Sequence, residues 1–168
     1  NSKSFDSFVI VPEGFNPSSY GEVAGWYRKG LGIALSGSKV TSWSNNLGEL
    51  PSATQPTGPN QPEYLSEKLV FDGVDDYLEI GNVNYITYTG FALFKPNSLT
   101  GYRSVIAQCA PSGNSPEAGL EISLTGVSSG DIWSGYGNGV ANRFEYTAGG
   151  VIVSGQRANV AVSHLDGQ

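Results

Sequence analysis

The stretch Lys68-Leu-Val-Phe-Asp-Gly-Val-Asp-Asp-Tyr-Leu-Glu-Ile80 carries the strongest structural signal in the chain. Two short apolar runs, at 69–71 and 77–80, flank the dipeptide Asp72-Gly73. Glycine adopts positive φ at low cost and aspartate hydrogen-bonds to turn backbone, so Asp-Gly between β-forming residues is typical of a hairpin. The second run alternates apolar and polar residues, as half-buried strands do. We therefore predict that the two runs pair as a β-hairpin around Asp72-Gly73.

The composition predicts many short strands joined by turns. The 168 residues include 23 glycines and 9 prolines, and the Ala/Leu/Glu/Lys runs of long helices are missing. About ten strand-like segments predict a two-sheet antiparallel β-sandwich, an all-β fold. Those of the second half lie at 85–95, 103–109, 120–124, 143–147, 151–153 and 159–164.

Two segments are expected to be irregular. Residues 51–63 contain four prolines, which cannot donate to a β-ladder, so we interpret them as an internal loop. Residues 131–139 contain three glycines and are predicted to form a loop as well.

The order of motifs resembles laminin-G-like domains of the bacterial and phage type, within the concanavalin A-like lectin/glucanase superfamily. Phe71-Asp72-Gly73 with Asp76-Tyr77 matches the "FDG…DY" signature of that family. The preceding pieces agree in order and spacing: Trp26, Val40 with Trp43, a polar turn at 45–48, and a Gln/Pro-rich loop from Gln55-Pro56 to Gln61-Pro62.

The resemblance implies a concanavalin A-like jelly roll, with residues 1–168 as a single laminin-G-like domain and Trp26 and Trp43 in its interior. In the family, a segment like 160–167 is followed by further strands. We therefore expect this chain to be a fragment of a longer one that lacks the last strands. An unpaired sheet edge is adhesive, so we expect other protein subunits to cover it.

Charge and hydropathy exclude some partners. The net charge is −6, without a Lys/Arg cluster, which argues against nucleic acid as a partner. We find no apolar run of about 18 residues and expect no membrane span. The single cysteine, Cys109, allows no internal disulfide and leaves the compartment open.

Catalysis finds little support in the sequence. Glucanases of the superfamily use carboxylates on one strand, in the pattern Glu-x-Asp-x-(x)-Glu, which is absent here. Glu117 and Glu121 are too far apart along a strand for a retaining mechanism. The single histidine, His164, has only Asp166 nearby as a partner. We predict that the protein is not an enzyme and that no residue is catalytic.

Two groups of residues are candidates for binding. Sugar rings stack on aromatic residues and hydrogen-bond to Asn and Asp, and loops on a rigid scaffold collect such residues. The ligand-binding candidates are Asp131, Trp133, Tyr136 and Asn138, with Tyr102 and Arg103 as a secondary pair. Alternatively, Trp133 belongs to the core and Tyr136 is a turn residue. The metal candidates are Asp72, Asp75 and Asp76, which would hold calcium. Alternatively, Asp72 caps the turn, Asp75 and Asp76 face solvent, and no cofactor is bound.

Three functions therefore remain open. The first is a non-catalytic, lectin-like recognition module that binds carbohydrate or another surface polymer and belongs to a larger secreted or phage virion-surface protein. The second is a structural role in a phage capsid, tail or fibre through protein contacts. The third, a glycoside hydrolase, has the weakest basis. The first two imply an extracellular or virion-surface location.

Overall fold

Strands and turns make up nearly all of the structure, a computed structural model that describes residues 19, 23–81, 88–100, 103–107, 118–124, 132–138, 142–146 and 152–164. Helical residues in this part of the chain are confined to short 3₁₀ segments such as Gly58–Asn60. None of its helices is long and apolar enough to cross a bilayer. All strand pairs among these described residues are antiparallel, so the prediction of an all-β fold is confirmed. The described residues form two compact units, one over 23–81 and one over 88–164.

The first unit contains a five-stranded sheet in the order β1-β2-β4-β5, with β3 also paired to β2. Its strands are β1 (Ile33–Ser36), β2 (Lys39–Trp43), β3 (Ala53–Thr54), β4 (Glu63–Leu65) and β5 (Lys68–Val70). The loop after β2 closes against the stretch before β1 at Gly48, where a Cβ would lie 2.0 Å from the carbonyl oxygen of Val23. Only glycine permits this close approach of the two backbones.

The predicted hairpin around Asp72-Gly73 is wrong. Strand β5 pairs with β4 through the two-residue turn Ser66-Glu67, whose φ angles of 50° and 59° match a type I′ turn. The second apolar run pairs elsewhere, since the N–H and the carbonyl oxygen of Glu79 both bond to Thr54, at 2.9 and 2.8 Å. The Asp-Gly turn therefore redirects the chain toward the proline-rich loop and does not reverse it onto β5.

The proline-rich loop is irregular, as predicted, but two buried glutamines organise it. Gln55 is 1% exposed and Gln61 5%. Gln61 Nε2 donates to the Gln55 carbonyl oxygen at 2.6 Å, and Gln55 Oε1 accepts from Thr57 N–H at 2.9 Å. Buried amides need such partners, because an unsatisfied one costs free energy. The two glutamines therefore belong to the interior of the first unit, as do the fully buried side chains of Val40 and Pro62.

The second unit contains two sheets, a four-stranded one in the order β10-β9-β8-β7 and a two-stranded one of β11 and β6. The strands are β6 (Tyr88–Phe94), β7 (Arg103–Ala107), β8 (Ala118–Leu124), β9 (Ile132–Asn138), β10 (Asn142–Tyr146) and β11 (Ala158–His164). Both sheets contribute to one apolar core. Buried Ile152 and Val160 contact partly buried side chains of Ala92, Phe94, Leu99, Val105, Ile106 and Ala158.

Two secondary-structure predictions for this unit are wrong. The predicted strand at 151–153 is not one at residues 152 and 153; a turn follows them in which Gly155 N–H donates to the carbonyl oxygen of Pro96 at 2.7 Å. The predicted loop at 131–139 is strand β9 over its described residues. Glycine weakens a strand, but hydrogen bonds to neighbours on both sides hold β9 in the sheet.

Candidate functional site

Strand β9 carries three of the predicted ligand-binding residues, Trp133, Tyr136 and Asn138. It lies between β8 and β10, so its positions are fixed by register on both sides. Arg103 is the first residue of β7 and pairs with Leu124, which in turn pairs with Ile132. Predicted residues Asp131 and Tyr102 lie outside the described residues.

The register separates the predicted residues into two groups. Arg103 lies two strands from the beginning of β9, roughly 10 Å across the sheet, close to the row of Trp133. Asn138 lies at the other end of β9, about 20 Å from Ile132 along the strand. Positions 133 and 136 differ by an odd number of residues and therefore belong to opposite faces of the sheet. The four of these six residues that the structure describes therefore do not form one cluster.

Strand β7 connects the four-stranded sheet to the core, since Val105 and Ile106 both contact it beside an irregularity in the register with β8. Ile106 pairs with Ile122, which pairs with Ser134, so these three positions form one row across the sheet. Position 133 belongs to the neighbouring row, which alternates with it.

Sequence analysis missed two aromatic residues that share the face of Trp133. Tyr146 pairs directly with Trp133, and Phe144 pairs with Gly135. Alternation along 143–147 predicts strand β10, which is confirmed. The sequences of β9 and β10 do not, however, indicate which residues of the two strands pair with each other. The face that we call the β9–β10 aromatic face consists of Trp133, Phe144, Tyr146 and the glycine positions 135 and 137.

The three metal candidates lie together on the exposed turn after β5. One carboxylate oxygen from each of Asp72, Asp75 and Asp76 falls within 4.8 Å of the others. Asp72 Oδ1 accepts from the N–H groups of Val74, Asp75 and Asp76, at 2.8, 3.3 and 3.4 Å, and Asp76 Oδ2 accepts from Asp72 N–H at 2.9 Å. These bonds lower the pKa of Asp72, the one to Val74 most, because they favour the charged form.

The Asp72 bonds show that this carboxylate caps the turn. Oxygen ligands of this type suit calcium, but two of these oxygens already act as acceptors within the turn. Calcium at this turn stays a prediction. Titration calorimetry with Ca²⁺ on the wild type and on Asp75→Asn checks it.

A second aromatic cluster lies in the first unit. Trp26 and Trp43, which the resemblance implies to be interior, are half-buried. Trp43 meets Tyr27 edge to face at 5.7 Å between ring centroids, and its Nε1 donates to the Arg28 carbonyl oxygen at 3.0 Å. Burial raises the pKa of Tyr27, whose hydroxyl donates to the carbonyl oxygen of Pro51.

Comparison with protein-family models, with curated proteins and with solved structures yields no match for this chain. The laminin-G-like resemblance therefore stays a prediction from the motifs at 26–77. Functional proposals depend on the geometry of the two units and on the chemistry of their residues.

Proposed function

We propose that this chain is a non-catalytic, lectin-like recognition module that binds carbohydrate or another surface polymer. The supporting observation is the register of β9 and β10, in which Trp133 pairs with Tyr146 and Phe144 with Gly135. Aromatic residues stack on the C–H faces of pyranose rings, and glycine positions beside them leave room for a ligand. A row of aromatic positions along two strands suits an extended polymer.

The proposal includes a concanavalin A-like jelly roll, with residues 1–168 as one laminin-G-like domain. Contacts of both sheets of the second unit with one core support layered packing there. We further propose that the module belongs to a larger secreted or phage virion-surface protein and acts outside the cell or on the virion. Its net charge of −6 agrees with a partner other than nucleic acid.

Glycan-array screening followed by titration calorimetry tests this function. Trp133→Ala and Tyr146→Ala should each weaken binding by about tenfold or more, because a stacked aromatic residue is a typical hot spot. Phe71→Ala is the matched control: it removes an exposed aromatic side chain of the first unit (45% exposed), and affinity should stay within about twofold. Thermal unfolding checks that each variant is folded.

Failure of the wild type to bind any glycan on the array would remove this proposal, as would full affinity in both strand variants. The non-catalytic part has its own test. Incubation of the protein with a bound polysaccharide should release no reducing sugar, and sustained release would make the protein a glycoside hydrolase.

A structural role in assembly is the second candidate, and strand β6 favours it. Two of its large apolar residues, Phe91 and Leu93, are 41% and 62% exposed. Exposed apolar residues on one strand are typical of protein interfaces. Light scattering after size exclusion discriminates the two functions. A monomer that binds glycan supports recognition, whereas an oligomer that Leu93→Ser dissociates supports assembly.

A further inference from the structure

Arg28 and Trp26 lie two residues apart on the extended stretch before β1, and their side chains contact each other. The guanidinium carbon of Arg28 lies 5.6 Å from the centroid of the Trp26 ring. Trp26 is half-buried and Arg28 is exposed. Because Arg28 is exposed, the guanidinium N–H groups that do not face the ring are accessible to a ligand.

Two asparagine side chains hold this stretch in place. Asn45 Oδ1 accepts from Trp26 N–H at 2.8 Å, and Asn46 Oδ1 accepts from Arg28 N–H at 3.2 Å. Asn46 N–H in turn donates to the Trp26 carbonyl oxygen at 2.8 Å. The backbone on both sides of the pair is therefore fixed before any ligand arrives, which lowers the entropy cost of binding.

Further polar groups border Gly32, close to the Asn46 amide. A Cβ on Gly32 would lie 3.3 Å from both Ser44 Oγ and Asn46 Nδ2, and 2.7 Å from Ser44 Cβ. Gly32 is therefore packed closely against Ser44, and the Ser44 hydroxyl and the Asn46 amide N–H₂ group lie side by side next to this exposed glycine. Groups of this kind hydrogen-bond to sugar hydroxyls.

Arg28 takes part in neither of the ion pairs described for the first unit. Among its described residues, Lys29 pairs with Glu67 at 3.7 Å and Lys39 pairs with Glu63 at 3.8 Å. In a chain of net charge −6, Arg28 therefore presents a cation whose described partner is an aromatic ring.

We infer that Arg28, Asn46 and Ser44 form a binding site for a carboxylate-bearing sugar, such as a uronic acid unit of an acidic polysaccharide. The inference rests on the proposed glycan recognition and specifies a class of ligand for the first unit. The guanidinium binds the carboxylate through two parallel hydrogen bonds, and the sugar hydroxyls bind the neighbouring Ser44 Oγ and Asn46 Nδ2. Trp26 is a positioning residue that holds the guanidinium.

Titration calorimetry with three soluble ligands tests the site. Oligogalacturonate carries the carboxylates, its methyl ester has the same sugar skeleton without charge, and poly-L-glutamate carries the charge without sugar. We expect oligogalacturonate to bind, and each of the other two to bind at least about tenfold more weakly, because a charge-assisted bidentate pair is lost in one case and the sugar contacts in the other. Higher salt should weaken the binding.

Matched variants separate this site from general charge effects. Arg28→Gln should weaken oligogalacturonate binding by about tenfold or more, and Arg28→Lys should restore only part of it, since lysine lacks the planar fork. Lys29→Gln removes the same charge one residue away and should change affinity by less than about twofold. Trp26→Leu should weaken binding and Trp26→Phe should restore it, because both aromatic rings hold a cation.

The inference is overturned if Lys29→Gln lowers affinity as much as Arg28→Gln, or if either control ligand binds as well as oligogalacturonate. It is also overturned if the protein binds only neutral glycans through Trp133, a result that leaves the proposed function intact. Absence of binding to any glycan removes both.

Discussion

The loop at 55–61 and the turn at 72–76 use the same local chemistry in opposite surroundings. In each, a side-chain oxygen accepts a backbone N–H two residues on: Gln55 Oε1 from Thr57, and Asp72 Oδ1 from Val74. Gln55 is 1% exposed, whereas Asp72 lies at the surface. Water can replace the bond between Asp72 and Val74 but cannot reach the buried side chain of Gln55. Substitutions in the two loops should therefore change the free energy of unfolding by very different amounts.

The largest effect is expected from Gln55→Ala. This change leaves the Thr57 N–H without its acceptor and opens a cavity where the buried Gln55 side chain was. The free energy of unfolding should fall by about 2–4 kcal/mol. Urea denaturation measures it. Gln156→Ala is the matched control at an exposed glutamine and should stay within about 0.5 kcal/mol of the wild type; equal losses in the two variants would contradict the buried role of Gln55.

A pair of glycine substitutions sharpens the comparison. Gly73 in the exposed turn has φ of 76°, which alanine adopts only with strain, so Gly73→Ala should cost about 1 kcal/mol. Gly58, an exposed residue of the 55–61 loop, lies outside the positive-φ range and would meet nothing within 4 Å of a new Cβ. Gly58→Ala should therefore be neutral or stabilise by up to about 0.5 kcal/mol. The reverse order in urea denaturation would show that φ does not govern the cost of substitution at these two exposed positions.

The same contrast explains what the sequence could and could not predict. Alternating segments such as 120–124 and 143–147 predict strands that the structure contains, because a period of two residues is typical of a β-strand whose two faces meet different surroundings. The pairing of the 69–71 and 77–80 runs could not be predicted correctly. Asp72 caps its own turn. The backbone of the second run instead hydrogen-bonds to Thr54 and Asn60, which are distant in sequence.

Local sequence patterns also failed to predict the β4–β5 hairpin and strand β9 of the candidate site. Residues Ser66 and Glu67 lack the Asn-Gly or Asp-Gly pattern of type I′ turns, so the hairpin of β4 and β5 carries no local signal. Glycines 135 and 137 made β9 resemble a loop, and its partners on both sides outweigh that propensity. The β9–β10 aromatic face depends on inter-strand register, which no single segment encodes.

A smaller effect is expected from optimising the turn that does form a hairpin. Replacing Ser66 with Asn and Glu67 with Gly supplies residues that tolerate positive φ, and the free energy of unfolding should rise by about 0.5–1 kcal/mol. The change also removes the exposed Lys29–Glu67 ion pair, so Lys29→Gln is measured alongside to account for that loss. If the double variant lost more free energy of unfolding than Lys29→Gln does, Asn and Gly would not relieve the strain at positions 66 and 67.

The smallest effect concerns Asp72 and depends on pH. Its backbone hydrogen bonds lower its pKa in the folded protein below the unfolded value of about 3.9. The carboxylate therefore stabilises the fold above that unfolded value, and this contribution is lost as the pH falls through the folded-state pKa. Asp72→Asn should be less stable than the wild type near neutral pH and should converge with it in acid.

Urea denaturation at several pH values between about 2.5 and 6.5 follows this convergence. Asp75→Asn is the matched control, because it removes a neighbouring carboxylate and leaves the acceptor Asp72 Oδ1 unchanged. Stability curves of the wild type and Asp72→Asn that run parallel over the whole range would mean that water replaces these bonds without loss. In that case the exposed turn would contribute only its backbone conformation, and the contrast with the buried Gln55 loop would be at its strongest.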